Sequence, residues 1–303
     1  MQNKTQTPLS SYLLLLGIGL VWGGQFLFNA RAVESFPPVT IAAVRVLLGA
    51  LTLSIVTCFD RNGSRNRAKP ARSTYALLAL IALFEAVLPL FLVAWGQQQV
   101  TSSITAVMIG GVPIITLLLS AFMGRGNGFT IYSGLSVLVG FIGILVLVNP
   151  TSGGFGAHSL VYEGAIFLGA VSFAISLNLL ERIPQGEPIR STRDMLWMAS
   201  APVTIAALVL DKPWLLHWTS EATLSLIVLG VLGSGAAYLM YASLIQRSGA
   251  VFTSLSNFIV PMVGVVLGVA VRGESFGQRQ GLALALIVVA LILSELRALI
   301  AAR

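Results

Sequence analysis

The sequence predicts an all-α integral membrane protein, with ten transmembrane helices arranged as two inverted five-helix repeats. Three observations predict it: a scarcity of charge, ten long apolar runs, and a self-similarity at an offset of 148 residues.

Charge comes first. Of the 303 residues 56% are hydrophobic and 10% charged, and the mean hydropathy is +0.90. A soluble domain carries about a quarter charged residues, because its surface faces water. This chain lacks the residues for such a surface, so its solvent is lipid.

A helix needs about 20 mainly apolar residues to cross the hydrocarbon. Runs of that kind lie at 11–30, 38–58, 74–95, 101–122, 129–148, 159–180, 194–210, 222–245, 249–270 and 279–297. The run at 194–210 is the shortest of them and contains Pro202. A closed barrel is the other backbone-satisfying solution in lipid. Its strands would alternate in polarity, whereas Leu282 to Leu293 is apolar on every side.

Loop charge sets the orientation. With a cytoplasmic N-terminus, thirteen of the 18 Lys and Arg fall inside, the group Arg61, Arg65, Arg67, Lys69 and Arg72 among them. Arg31, Lys212, Arg272 and Arg279 fall outside, and Arg45 lies within a span. The positive-inside rule therefore predicts a multi-pass inner-membrane protein with both termini cytoplasmic, as an even helix count requires. The formal net charge of +7 resides in these loops and gives no support to a nucleic-acid partner. One Lys precedes the first run and no small-x-small site follows before Arg31, so the first helix is expected to be retained. Cys58 is the only cysteine, which excludes an intrachain disulfide and a Cys-based metal site. A small packing role near the inner end of the second helix is expected for it.

Shifting the sequence by 148 residues lays Pro113 on Pro261, Arg45 on Arg193, and Ile104-Thr105-Ala106-Val107 on Phe252-Thr253-Ser254-Leu255. The expected units are 1–150 and 151–303, with five helices each. Five is odd, so the second unit enters the membrane from the opposite side. Inverted repeats of this kind are a plan of secondary transporters, since the halves exchange conformations to give outward- and inward-facing states. Gly19-xxx-Gly23 and Gly264-xxx-Gly268 are small-xxx-small faces, suited to moving helices or to static seams.

The sequence resembles the EamA-type members of the drug/metabolite transporter superfamily. The resemblance is carried by Trp22-Gly23-Gly24-Gln25-Phe26, by Phe36-Pro37-Pro38-Val39 reaching Arg45, and by Val112-Pro113-Ile114. It continues in Asn257-Phe258-Ile259-Val260-Pro261 followed by Arg272-Gly273-Glu274. The family commonly has a Gly-Glu pair in both halves, but the first half here has Gly124-Arg125-Gly126. The resemblance implies a five-plus-five carrier, commonly an exporter of amino acids or other small metabolites.

Polar residues in lipid cost free energy unless paired or facing water, so they mark candidates. Glu85 is the one acid near the middle of a span. It is either a proton-coupling or amine-binding carboxylate, or a structural carboxyl bonded to a neighbouring helix. Pro89, one turn later, frees a backbone carbonyl that would line a cavity. Trp22, Gln25 and Asn29 share one face of the first helix, as cavity wall or as interhelical hydrogen bonds. Ser234, Tyr238 and Tyr241 share a face of the eighth, and Ser254, Asn257 and Pro261 one of the ninth. Phe173, beside Ser172, matches Gln25 in the repeat. The expected substrate site is therefore Trp22, Gln25, Asn29, Glu85, Phe173, Tyr238, Tyr241 and Asn257. Glu85 is the coupling residue, and Arg45, Pro89, Pro113 and Pro261 are structural. Arg45 either attracts a substrate carboxylate or braces the second helix. Glu163, Glu274, Gln97, Gln98 and Gln99 lie at span ends, where interface anchoring is expected.

Rival classes lack their residues. A membrane serine protease needs a His within the spans, and zinc chemistry needs a pattern such as HExxH. His158 and His217 fall in loops, so no metal or cofactor is expected. A phosphate-sugar carrier of the same fold needs several buried cations, and the interior offers Arg45. An organic-cation carrier stays open. No repeated filter sequence suggests a channel. The expected partners are a small-molecule substrate, the bilayer and protons, with the chain a monomer or homodimer.

Overall fold

The structure, a computed structural model, describes residues 9–59, 72–122, 131–148, 157–180, 188–254 and 256–301. Most of the basic segment 61–72 and the turn at Gly124-Arg125-Gly126 lie outside the described residues. Among the described residues every regular element is helical.

The first half begins with α1 (Leu9–Ala32) and α2 (Pro38–Phe59). The next helix, α3, runs Arg72–Ala82, continues as a π-helix over Leu83–Val87, and finishes as Leu88–Gly96. Next, α4 comprises Ser102–Gly110 and Val112–Phe122, with a break at Gly111, and α5 is Ile131–Val148. The second half holds α6 (Ala157–Leu180) and α7 (Pro188–Leu210). In α8, Ser220–Ile227 passes through a second π-helix, Val228–Ala236, into Ala237–Ser254. It is followed by α9 (Ser256–Arg272) and α10 (Gln278–Ala301).

Among the described residues seven helices are long and apolar enough to cross a membrane. Three shorter apolar helices, Gly134–Val146, Ile259–Arg272 and Gln278–Leu293, accompany them. The span expected at 194–210 begins at Pro188, six residues earlier, because Pro at the first helical turn has no amide to leave unbonded. The expected stop at 245 is passed, and helix continues to Ser254, since nothing from Ile245 to Ser254 is a proline.

Both π-helices have local causes. Pro89 has no N–H, and its ring presses on the carbonyl four residues back, that of Glu85. Widening the turn over Leu83–Val87 relieves that clash. In α8 the glycines at 230, 233 and 235 allow the wider turn, and α2 packs hard against it. A Cβ on Gly49 would stand 2.8 Å from Ser234 Cβ, and one on Gly235 2.7 Å from Thr52 Cβ.

The packing order follows from such close approaches. Helix α1 lies against α8 and α9, while α6 lies against α3 and α4. Helix α2 packs on α7 and α8, α3 on α7, α4 on α9, and α5 on α10. The Gly19 and Gly23 stripe faces Ile259, Val260 and Val263 with no room for a Cβ, and Gly264 likewise abuts Ala106 and Phe26. Both small-residue faces thus lie in one α1–α9–α4 seam. The same pairings give chain direction: α9 runs parallel to α1, and α8 runs antiparallel, with Ser248 Oγ donating to Ser11 Oγ at 2.7 Å. Cys58 is exposed rather than packed, in the last turn of α2, where the neighbouring Thr57 Oγ1 accepts from Arg193 Nη1 of α7 at 3.2 Å.

Candidate functional site

The two π-helices bring the candidate residues together. At the middle of α3, the Glu85 carboxylate accepts two hydroxyl hydrogen bonds. Ser176 Oγ of α6 donates to Oε2 at 2.6 Å, and Tyr238 Oη of α8 donates to Oε1 at 2.7 Å. Glu85 is 9% exposed, so both bonds form away from bulk water. Beside it, Ser172 Oγ donates to the Phe84 carbonyl at 3.0 Å, using a backbone acceptor that the π-turn exposes.

On the other side, Trp22 Nε1 of α1 donates to the Gly233 carbonyl within the second π-helix at 3.1 Å. Its ring meets Tyr238 edge-on at 5.8 Å and Tyr241 at 5.2 Å. Arg45 of α2, 5% exposed, donates from Nη2 to Gln25 Oε1 at 2.6 Å and from Nε to Ser234 Oγ at 3.4 Å. The result is a continuous polar layer across the bundle, holding one carboxyl and one guanidinium that share no salt bridge.

The remaining candidates fall elsewhere. Asn29 is buried one to two turns beyond Gln25, where its Nδ2 donates to Gln97 Oε1 at 2.8 Å, and Gln97 Nε2 donates to the Phe26 carbonyl at 3.0 Å. That pair ties α1 to α3 and does not reach Glu85. Phe173 packs in apolar clusters between α3 and α4. Asn257 is half-buried, and no hydrogen bond among the described residues joins it to the layer; the Ser254 side chain lies outside them. Pro113 follows the Gly111 break, and Pro261 abuts Gly110 across the α4–α9 contact. Ser176 escaped the sequence reading, although it stands one turn from Ser172 and the same-face rule applied to α1 would have found it.

Three side chains expected as interface anchors are buried instead: Gln97 at 5%, Glu163 at 4% and Glu274 with 7% of its side chain exposed. Span-end acids face water only when no neighbouring helix offers donors, and here the N-terminus of α4 does. Glu274 Oε2 accepts from Ser103 N at 2.8 Å and Oγ at 2.6 Å, and Oε1 from Ser102 N at 2.9 Å and from Ser102 Oγ. Asp211 likewise caps α2, with Oδ2 accepting from Thr40 N at 2.8 Å and Oγ1 at 2.7 Å. Each carboxylate comes from the second half and satisfies amides that a helix start leaves unpaired. Both lie at the bundle end away from Leu9, so at that end the two halves are clamped to each other.

Burial pushes the Glu274 carboxyl up, but the hydroxyl and amide bonds from Ser102 and Ser103 outweigh it and hold the pKa below its ordinary 4.5. A depressed carboxylate contributes stability above its unfolded value and loses it as pH falls toward the lower folded value. Melting temperature in detergent is therefore expected to fall as the pH drops below 4.5, and Glu274→Gln should melt lower at neutral pH and lack that step.

The chain is similar to known transporters. The profile of the EamA-like transporter family matches the chain twice, over residues 9–149 and 161–296. The uncharacterized inner membrane transporter YedA of Escherichia coli (strain K12) is 26% identical, over 98% of this chain and 93% of its own. The uncharacterized transporter YvbV of Bacillus subtilis (strain 168) is 23% identical, over 87% and 83%. Protein PagO of Salmonella typhimurium is 22% identical, over 94% and 93%. One crystal structure superposes with a TM-score of 0.64 at 20% identity, covering 95% of this chain and 97% of the other. At that identity the likeness concerns the fold.

Proposed function

The chain belongs to the EamA-like transporter family, and from that premise we propose a secondary carrier that exports a small, amino-acid-like metabolite across the inner membrane by alternating access. The observation that carries the reading is the polar layer between the π-helices. Glu85 of the first half is held by Ser176 and Tyr238 of the second, Gly233 of the second by Trp22 of the first, and Ser234 by Arg45. Any movement of one half against the other must break and remake these bonds, so a substrate seated there senses and biases the exchange. The guanidinium, with no carboxylate partner of its own, suits the carboxylate of a ligand, and the separate Glu85 carboxyl suits a coupled proton.

The ten-span, two-repeat reading has several supports. Helix α1 lies between α8 and α9 as α6 lies between α3 and α4, which is the relation that exchanging the halves requires. The π-helices correspond as well, since Glu85 and Gly233 are separated by the same 148 residues that relate Pro113 to Pro261. With both termini cytoplasmic, the clamped end is the outer one. A carrier closed outside is in the state from which an exporter loads.

The test is a substrate panel in proteoliposomes of the purified full chain. Amino acids, nucleosides and organic cations are offered with and without a pH gradient. Zwitterionic amino acids are expected to move and to respond to the gradient. Transport of organic cations alone, or of no class under either condition, overturns the reading.

A further inference from the structure

The face of α1 that carries Leu13, Leu16 and Leu20 is exposed, and so are Leu224, Ile227 and Leu232 on α8. In a membrane-spanning bundle these are lipid-facing stripes. They converge on a cavity of about 250 Å³ between the two helices. Of its lining residues Leu20 and Leu232 are exposed, at the lipid side, while Gly24, Leu229 and Gly233 are buried and Gln25 half-buried, and these four form its floor.

The glycines on that floor differ from the others in these helices. Gly19, Gly23, Gly230 and Gly235 have no room for a Cβ, so packing explains them. A Cβ on Gly24 would stand 3.5 Å from the nearest atom, Leu267 Cδ1, and one on Gly233 3.8 Å from Arg45 Nη2. Neither is kept small by a neighbour. Both line the groove, at a depth about 12 Å along α1 from its Ala32 end. Hydrocarbon is the medium at that depth.

We propose that this groove is a binding site for an acyl chain of a bilayer lipid. Size supports a chain segment over a whole small molecule, since ligand pockets run to roughly 300–1,000 Å³. Polarity does too, because the one polar side chain on the floor, Gln25, already receives Arg45. The seated chain packs on the π-helix of α8 and on the methylenes of Gln25, opposite the guanidinium. It thereby completes the wall behind Trp22 and Arg45 and holds Gly233 where Trp22 Nε1 reaches it.

The experiment reconstitutes the full chain with a phospholipid carrying a diazirine on its acyl chain and maps the adducts by mass spectrometry. Labelling is expected at Val228, half-buried inside the groove, as well as at exposed Leu16. Gly24→Val should reduce the Val228 adduct several-fold and leave Leu16 unchanged, and Val228→Phe should do the same to adducts at Leu229. An unchanged Val228 adduct in Gly24→Val, or labelling confined to the exposed stripes, overturns the site. Displacement of the adduct by free leucine, with lipid composition constant, also overturns it and makes the groove a substrate portal. None of these readouts depends on which substrate is carried.

Discussion

Replacing Glu85 with Gln is expected to abolish transport driven by a pH gradient in proteoliposomes while leaving substrate exchange intact. The substitution keeps volume and removes titration. In the wild type each carboxylate oxygen accepts one hydroxyl, from Ser176 at 2.6 Å and Tyr238 at 2.7 Å. In Gln the oxygen keeps one of those bonds, and the amide donates to the other hydroxyl, which turns to accept. The layer therefore survives and the protein folds. Glu85→Ala is a different experiment, because it strands two buried hydroxyls at about 1–3 kcal/mol each and loosens the contact of α3 with α6 and α8. A Gln variant that still responds to the gradient as the wild type does would show that protons travel elsewhere. A Gln variant that loses exchange as well would make Glu85 a ligand for the substrate amine, with its charge needed for binding. Measuring both modes on one preparation separates these outcomes.

The helices were legible because lipid imposes a simple demand, about 20 apolar residues with the charge left outside, and α1 to α3 meet it plainly. Prolines and arginines stand out against the same apolar background, and they carry the offset of 148 residues. Glu85, Trp22, Gln25, Tyr238 and Tyr241 could be nominated because a polar group in that background is conspicuous. Which of them meet could not be read. Asn29 shares a face with Gln25, yet it bonds to Gln97 of α3, and only the placement of α3 decides that. Glu274 reads as an interface acid because its donors, Ser102 and Ser103, lie more than 170 residues away in the chain. The π-helices were half visible. Pro89 announces a disturbed turn, but a wider turn and a kink relieve the same clash, and local sequence does not choose between them. In α8 the glycine run reads equally well as a packing seam, and it serves that purpose against α2.

Arg45 yields the second large effect, and it sharpens the choice between brace and ligand. The guanidinium is 5% exposed and bonded to two neutral groups, Gln25 and Ser234, with no carboxylate in salt-bridge contact among the described residues. A buried cation without a counterion is unfavourable for folding, and replacing it with an apolar side chain of similar length removes that desolvation. Arg45→Met is therefore expected to keep the melting temperature in detergent near that of the wild type, the relieved desolvation offsetting the bonds that Gln25 and Ser234 lose. Transport should nevertheless fall. If the guanidinium receives a substrate carboxylate, the lost charge-assisted bond is about 1.5–3 kcal/mol, or roughly ten- to a hundred-fold in affinity. Substrates that carry a carboxylate should suffer that loss, and their amides should not. Arg45→Lys should recover part of it, since an ammonium keeps the charge but cannot hold Gln25 and a carboxylate in one plane. The brace reading makes the opposite forecast: Met would unfold the bundle, and transport would decline only in proportion to folded protein. Melting curves and carboxylate-versus-amide affinities on the same variant decide it.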